Sequence, residues 1–228
     1  MLNNPLALTD PAGLSVRHHH HGAHSMDEDE SDCDMPGADE CGNDDDGNDD
    51  GGNDDTCDAQ CQQQQQLEQA EDAAYIALLN PLCDFVIGGD PGEGGQILAN
   101  LSSANSLVNI EVGQPVDVNN QPIQGANAST NSQTVITADG SQVNGAITTI
   151  NPNGQFFNGY TDPSGNSRFG LTDQQNQVVT LLHEVGHEID FLANGVANGS
   201  NTMIVPDGPN TTPGASLDNS ALVANNCT

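Results

Sequence analysis

Residues 183–187 read His-Glu-Val-Gly-His. If this stretch is helical, the two histidines stack one turn apart, about 6 Å along the axis. Imidazoles so placed can converge on one divalent cation. Glu184 then projects beside the cation rather than onto it, where its carboxylate can take a proton from a bound water. Zinc lowers the pKa of such a water toward about 7. The chemistry expected of these residues is hydrolysis by an activated water, with His183 and His187 as Zn2+ ligands and Glu184 as general base. The competing expectation is an ordinary amphipathic helix with two histidines facing solvent.

The helix that must position them has clear end signals. Thr172 followed by Gln175 matches a capping box, and Asn194-Gly195 supplies a stop after about Ala193. Val178, Leu182, Val185, Ile189 and Leu192 form an apolar stripe, read as the buried face. Thr180, His183, His187 and Asp190 fall on a different face. Gly186 is expected to leave room against the motif.

A catalytic zinc site has three protein ligands and a position left for water, so a third ligand is needed. The carboxylates after the motif are Glu188, Asp190, Asp207 and Asp218. His-Glu-x-x-His is the zinc-peptidase pattern. Metzincins place their third ligand where this chain has Ala193. Gluzincins use a downstream glutamate, and no glutamate follows Glu188. Asp190 would have to reach along its own helix, so it is expected to orient a histidine ring instead. Asp207, on a turn after the helix stop, is the favoured ligand. Asp218 is second, and also reads as the N-cap of a last short helix. Arg168 is assigned to the surface.

Around this helix the chain falls into three parts. Residues 1–14 are a short extended tail. Residues 15–61 are a His/Asp/Asn/Gly-rich linker, too charged and too poor in apolar side chains to form a core. Residues 62–228 are one α+β domain. Within it, Leu67, Ala70, Ala74 and Leu78 mark a helix ended by Asn80-Pro81, and residues 96–104 form a short second helix. Stretches within 107–152 read as three short strands, with a long Asn/Gln-rich loop over 113–133. Residues 151–160 are expected to form a turn whose aromatics anchor under the sheet.

The charge balance is lopsided: Lys+Arg 2 against Asp+Glu 33, a net of −31. Of the 33 carboxylates, 17 lie in residues 1–61 and 16 in the remainder. Such a surface repels phosphate backbones, which argues against nucleic acid and in favour of cations. No apolar run is long enough to span a membrane, and the start of the chain lacks the pattern of a signal peptide. Asp46, Asn48, Asp50 and Gly51 match the first half of a calcium loop, but Cys57 stands where the closing glutamate belongs, so a solvated linker is preferred to Ca2+ binding. The tract His18–His21 with His24 is given no function. The six cysteines point to an oxidising destination. Cys33, Cys41, Cys57 and Cys61 have irregular intervals for a zinc knot. A Cys83–Cys227 bridge would tie the first helix of the domain to its tail and contribute about 4–5 kcal/mol.

Two stretches carry a resemblance. "NNPLALTDPAGL", residues 3–14, resembles the end of the core of Rhs (YD-repeat) proteins, where a variable C-terminal module follows a large β-shell. That resemblance implies self-cleavage near Leu14 served by Asp10. Residues 146–228 resemble C-terminal modules of bacterial Rhs-associated secreted proteins. The matching pieces are Ile150-Asn151, Gly154 to Asn158, Gly170-Leu171-Thr172, Leu181 to His187, Pro206-Asp207, and Ser216, Asn219, Val223 and Cys227. It implies a zincin-like metallopeptidase fold in a bacterial effector that is secreted or at the cell surface, with the Rhs shell as a larger partner, while the expectation of a peptide or protein substrate comes from the His-Glu-x-x-His chemistry. The alternative is a non-catalytic zincin-like surface or adhesion module whose metal is structural or absent.

Overall fold

The computed structural model describes residues 58–101, 106–160, 166–208 and 214–228. The chain divides into two units, Met1–Asn53 and Asp54–Thr228. The Rhs-like tail, the His tract and the calcium reading at Asp46, Asn48 and Asp50 lie outside the described residues.

The first helix, α1 (Ala59–Ala77), begins inside the stretch assigned to the linker. Asp58 caps it by accepting from the Cys61 backbone N–H at 2.8 Å. Its Leu67, Ala70 and Ala74 are buried at helical spacing, and Leu78 follows just after the helix. Asn80-Pro81 ends this run and also starts another helix, α2 (Pro81–Ile87), beyond the two helices expected here. Asn80 accepts from Leu82 N–H, and proline suits the first helical position because no intrahelical bond is lost there. The short helix expected over 96–104 is α3, Glu93–Asn100.

Three strands follow: β1 (Val108–Val112), β2 (Ala128–Ile136) and β3 (Gln142–Ile150). The order is β1-β3-β2, with β1 parallel and β2 antiparallel to the central β3. The expected loop over 113–133 is shorter than read, because β2 takes up its end from Ala128. From Asn131 to Ile136 its residues alternate in burial as a half-covered strand does, although the polarity of Asn131 to Thr134 hides the period. The turn expected at 151–160 contains a single helical turn, α4 (Gln155–Asn158), and Phe156 and Tyr160 are buried beside it.

The long helix α5 (Asp173–Asn194) is the centre of the unit. Both arms of its capping box are present, and Gly195 closes it in the left-handed conformation. It packs on β2 and β3 on one side and on α1, α3 and the last helix, α6 (Ala215–Cys227), on others. Every residue from Val178 to Phe191 is buried. The expectation of one buried stripe and one separate polar face is therefore corrected. With sheet and helices on several sides no face is left to water, and the polar residues of α5 must find partners inside.

Cys83 in α2 is bonded to Cys227 in α6 across a sequence separation of 144. A loop that long corresponds to about 5 kcal/mol in the chain-entropy account. Among the described residues the unit is thus mixed α+β, with six helices and a small three-stranded sheet. No described helix is long and apolar enough to cross a membrane.

Candidate metal centre

His183 and His187 extend from the middle of α5 and are 4% and 5% exposed. Their Nε2 atoms lie 3.2 Å apart, so the rings turn toward a common point. Asp207 reaches that point from the loop after α5. Its Oδ2 is 2.6 Å from His183 Nε2, and its Oδ1 is 3.1 Å from His187 Nε2. Each of the three residues offers one donor atom, all within 4.8 Å of one another, and together they could hold a metal ion. Two imidazole nitrogens and a carboxylate oxygen suit a borderline divalent cation such as zinc.

The electrostatics agree with this arrangement. Burial works against the charged form of Asp207, but the hydrogen bonds and charges of His183 and His187 outweigh it and hold its carboxyl well below the usual range. Burial likewise disfavours charge on His187, yet Asp207, Glu184 and Asp190 raise its pKa overall. Such a centre attracts positive charge, either as protons on the rings or as a cation between them.

The loop that brings Asp207 in is held at several points. The Asp190 carboxylate, fully buried at the end of α5, accepts from the backbone N–H groups of Asn198 and Asn201 at 3.1 Å each, and closely from Gly199. It does not orient a histidine ring, as the sequence suggested. It folds the chain back over the helix that carries it. Backbone bonds then fasten the loop to α2: Gly89 N–H donates to Asn201 O at 2.8 Å, and Met203 N–H donates to Val86 O at 3.2 Å. Ile204, fully buried, sits on Gly186, where an added Cβ would lie 2.5 Å from Ile204 Cγ1. The glycine thus makes room for the loop that bears Asp207.

Two residues of α6 complete the surroundings. Ser220 Oγ lies 3.0 Å from His183 Nδ1. When Nε2 binds a cation, the neutral ring keeps its hydrogen on Nδ1 and donates it to Ser220. Asn219 accepts from Val205 N–H at 3.1 Å and donates to Val205 O at 2.7 Å and Asp207 Oδ2 at 3.4 Å. Sequence reasoning missed both roles. The available signal was two adjacent polar residues at apolar helical spacing from Val223 and Ala224. Asp218 is exposed in the first turn of α6, where Gly214 rather than Asp218 is the N-cap. His187 Nδ1 is buried with no hydrogen-bond partner among the described residues.

Glu184 is 8% exposed and faces the sheet. Its Oε2 is 2.7 Å from Thr130 Oγ1 in β2, which is 2.6 Å from Thr148 Oγ1 in β3, which is 2.6 Å from Glu188 Oε1. Glu188 is fully buried, and burial, opposed by the hydrogen bond that Thr148 donates, pushes its carboxyl up to about 8. The row links the expected general base to a second, fully buried carboxyl through Thr148, in an expected strand, and Thr130, in the stretch expected to be a loop. Arg168 is half-buried rather than fully on the surface, its guanidinium 4.9 Å from the Phe169 ring centroid.

A surface cavity of about 490 Å³ lies elsewhere, lined by residues including Pro81, Phe85, Gly88 and Met203. It contains none of the three donor residues, and the chemistry of the donors, not concavity, marks the centre. Compared with protein-family models, curated proteins and solved structures, the chain finds no match.

Proposed function

We propose that the folded unit is a zincin-like domain in which His183, His187 and Asp207 hold Zn2+ and Glu184 acts as general base in peptide-bond hydrolysis. The observation that carries this reading is the approach of one carboxylate, from beyond the helix, to both Nε2 atoms at 2.6 and 3.1 Å. Zinc at this position would supply an acidified water at neutral pH and polarise a substrate carbonyl. Glu184 is the residue to receive the proton, since its charge already acts on His187. The Thr130 hydroxyl restrains one of its oxygens. Asp190 and Gly186 keep Asp207 in place. In the same proposal, the "NNPLALTDPAGL" stretch makes the domain the C-terminal effector module of a secreted Rhs-like protein.

The experiment is to load the full chain with zinc and incubate it with a mixed peptide library read by mass spectrometry. The native chain is expected to cleave. Glu184→Gln is expected to keep its zinc while losing at least about 100-fold in rate, the usual contribution of a general base. A second reading is a non-catalytic surface module with a structural cation. It is favoured by the near-complete burial of His183, Glu184 and His187. A native chain that holds zinc and cleaves nothing decides for that second reading.

A further inference from the structure

The two ends of the candidate centre are handled by adjacent residues of one helix. Ser220 Oγ meets His183 Nδ1 at 3.0 Å. Asn219 brackets Val205 with two hydrogen bonds and reaches Asp207 Oδ2 at 3.4 Å. Both side chains are buried, at 3% and 2% exposure. A serine hydroxyl and an asparagine amide are costly to bury in a helix–helix interface unless each has partners. Here their partners are a donor ring and the segment that carries a donor carboxylate. Two alanines at these positions would serve simple helix packing with less desolvation.

The helix itself is well anchored. Val223 and Ala224 are buried in the core, and Cys227 is bonded to Cys83 in α2. Through Val86 and Gly89, α2 also holds the other end of the loop, at Met203 and Asn201. The loop bearing Asp207 is therefore gripped by two helices that are covalently joined.

We propose that Asn219 and Ser220 are positioning residues of the cation site, Asn219 aiming the Asp207 carboxylate and Ser220 setting the ring orientation and tautomer of His183. The proposal rests on the cation reading of the site, not on its being a peptidase. Ser220 fixes the hydrogen on Nδ1, which leaves the Nε2 lone pair free for the ion and makes the ring more basic. Asn219 limits the swing of Asp207 about the Val205 segment. Neither touches the ion, so each acts through a ligand.

The test uses the full chain and two probes, zinc measured by competition with a chromophoric chelator and cobalt(II) measured by its visible absorption. The native chain is expected to bind one equivalent of each. Ser220→Ala and Asn219→Ala are each expected to weaken zinc binding by roughly 10–100-fold. Asn219→Ala should also change the cobalt absorption, because the carboxylate contact is altered. In zinc-loaded protein the His183 Nδ1 proton should give a slowly exchanging NMR signal that Ser220→Ala removes while the remaining amide signals persist. Zinc affinity in both variants within twofold of native overturns the assignment. So does persistence of the ring-proton signal in Ser220→Ala, a comparison that still decides if Asn219→Ala does not fold. Failure of the native chain to bind either metal overturns the cation reading and the assignment with it.

Discussion

Replacing Gly186 by alanine sets two effects of opposite sign against each other. In an exposed helix, alanine is more favourable than glycine by about 1 kcal/mol. At this position the new Cβ would lie 2.5 Å from Ile204 Cγ1 and 2.9 Å from Ile204 Cβ. Carbon atoms at rest sit about 3.5–4.0 Å apart, so Ile204 must retreat by about 1 Å. Ile204 is fully buried and cannot swing into solvent. Overpacking of this kind costs about 1–3 kcal/mol, which outweighs the propensity gain and leaves a net loss of about 1 kcal/mol. The displacement also passes to Asp207, whose oxygens lie 2.6 and 3.1 Å from the histidine nitrogens. Metal–ligand distances tolerate only about 0.2 Å, so zinc binding should weaken by about 10-fold or more. Urea unfolding of the metal-free chain and zinc competition measure the two effects separately. Adding Ile204→Ala removes Cγ1, the nearest clashing atom, and leaves only the 2.9 Å approach of Cβ, so the double variant should lose less than the sum of the singles. A Gly186→Ala chain that is more stable than native and binds zinc equally well refutes the packing argument.

Two further outcomes follow from the core. Replacing Cys83 and Cys227 together by alanine should lower the unfolding free energy by up to about 5 kcal/mol, and a change below about 1 kcal/mol in urea unfolding would remove the disulfide from the account of stability. Glu188 titrates in the opposite sense to a salt-bridged carboxylate: burial raises its folded pKa from 4.5 to about 8. Between those values the folded chain keeps a proton that the unfolded chain has released, so this contribution is full below about pH 4.5 and is lost as pH rises through about 8, by on the order of a few kcal/mol. Glu188→Gln should flatten that decline. A smaller decline of the same sign remains from Glu71, raised to about 7 by burial and by Glu68 and Asp72. An unchanged slope in Glu188→Gln would show that the buried carboxyl is not its source.

Much of the architecture is legible where the rules are local. The capping box at Thr172 and Gln175, the glycine stop at 195 and the spacing of Leu67, Ala70 and Ala74 all act within a few turns of the chain that bears them. The second helix was hidden because Asn80-Pro81 reads equally as an ending and a beginning. The early start of β2 was hidden because its run from Ser129 to Thr134 is polar throughout and carries no hydrophobic contrast.

The sequence by itself determined that two imidazoles and a glutamate share one helix, because a four-residue spacing and a helical turn are properties of the backbone alone. It also narrowed the third donor to a few aspartates. Among them it favoured Asp207, but only the tertiary structure brings that carboxylate against both rings, which depends on Asp190 folding the loop, on Gly186 admitting Ile204, and on Asn219 arriving from another helix. These contacts join residues far apart along the chain. Their energies depend on burial and shape, which no local pattern of residues encodes. The same holds for the burial of α5: polarity suggested an open face, and the elements packed around the helix closed it.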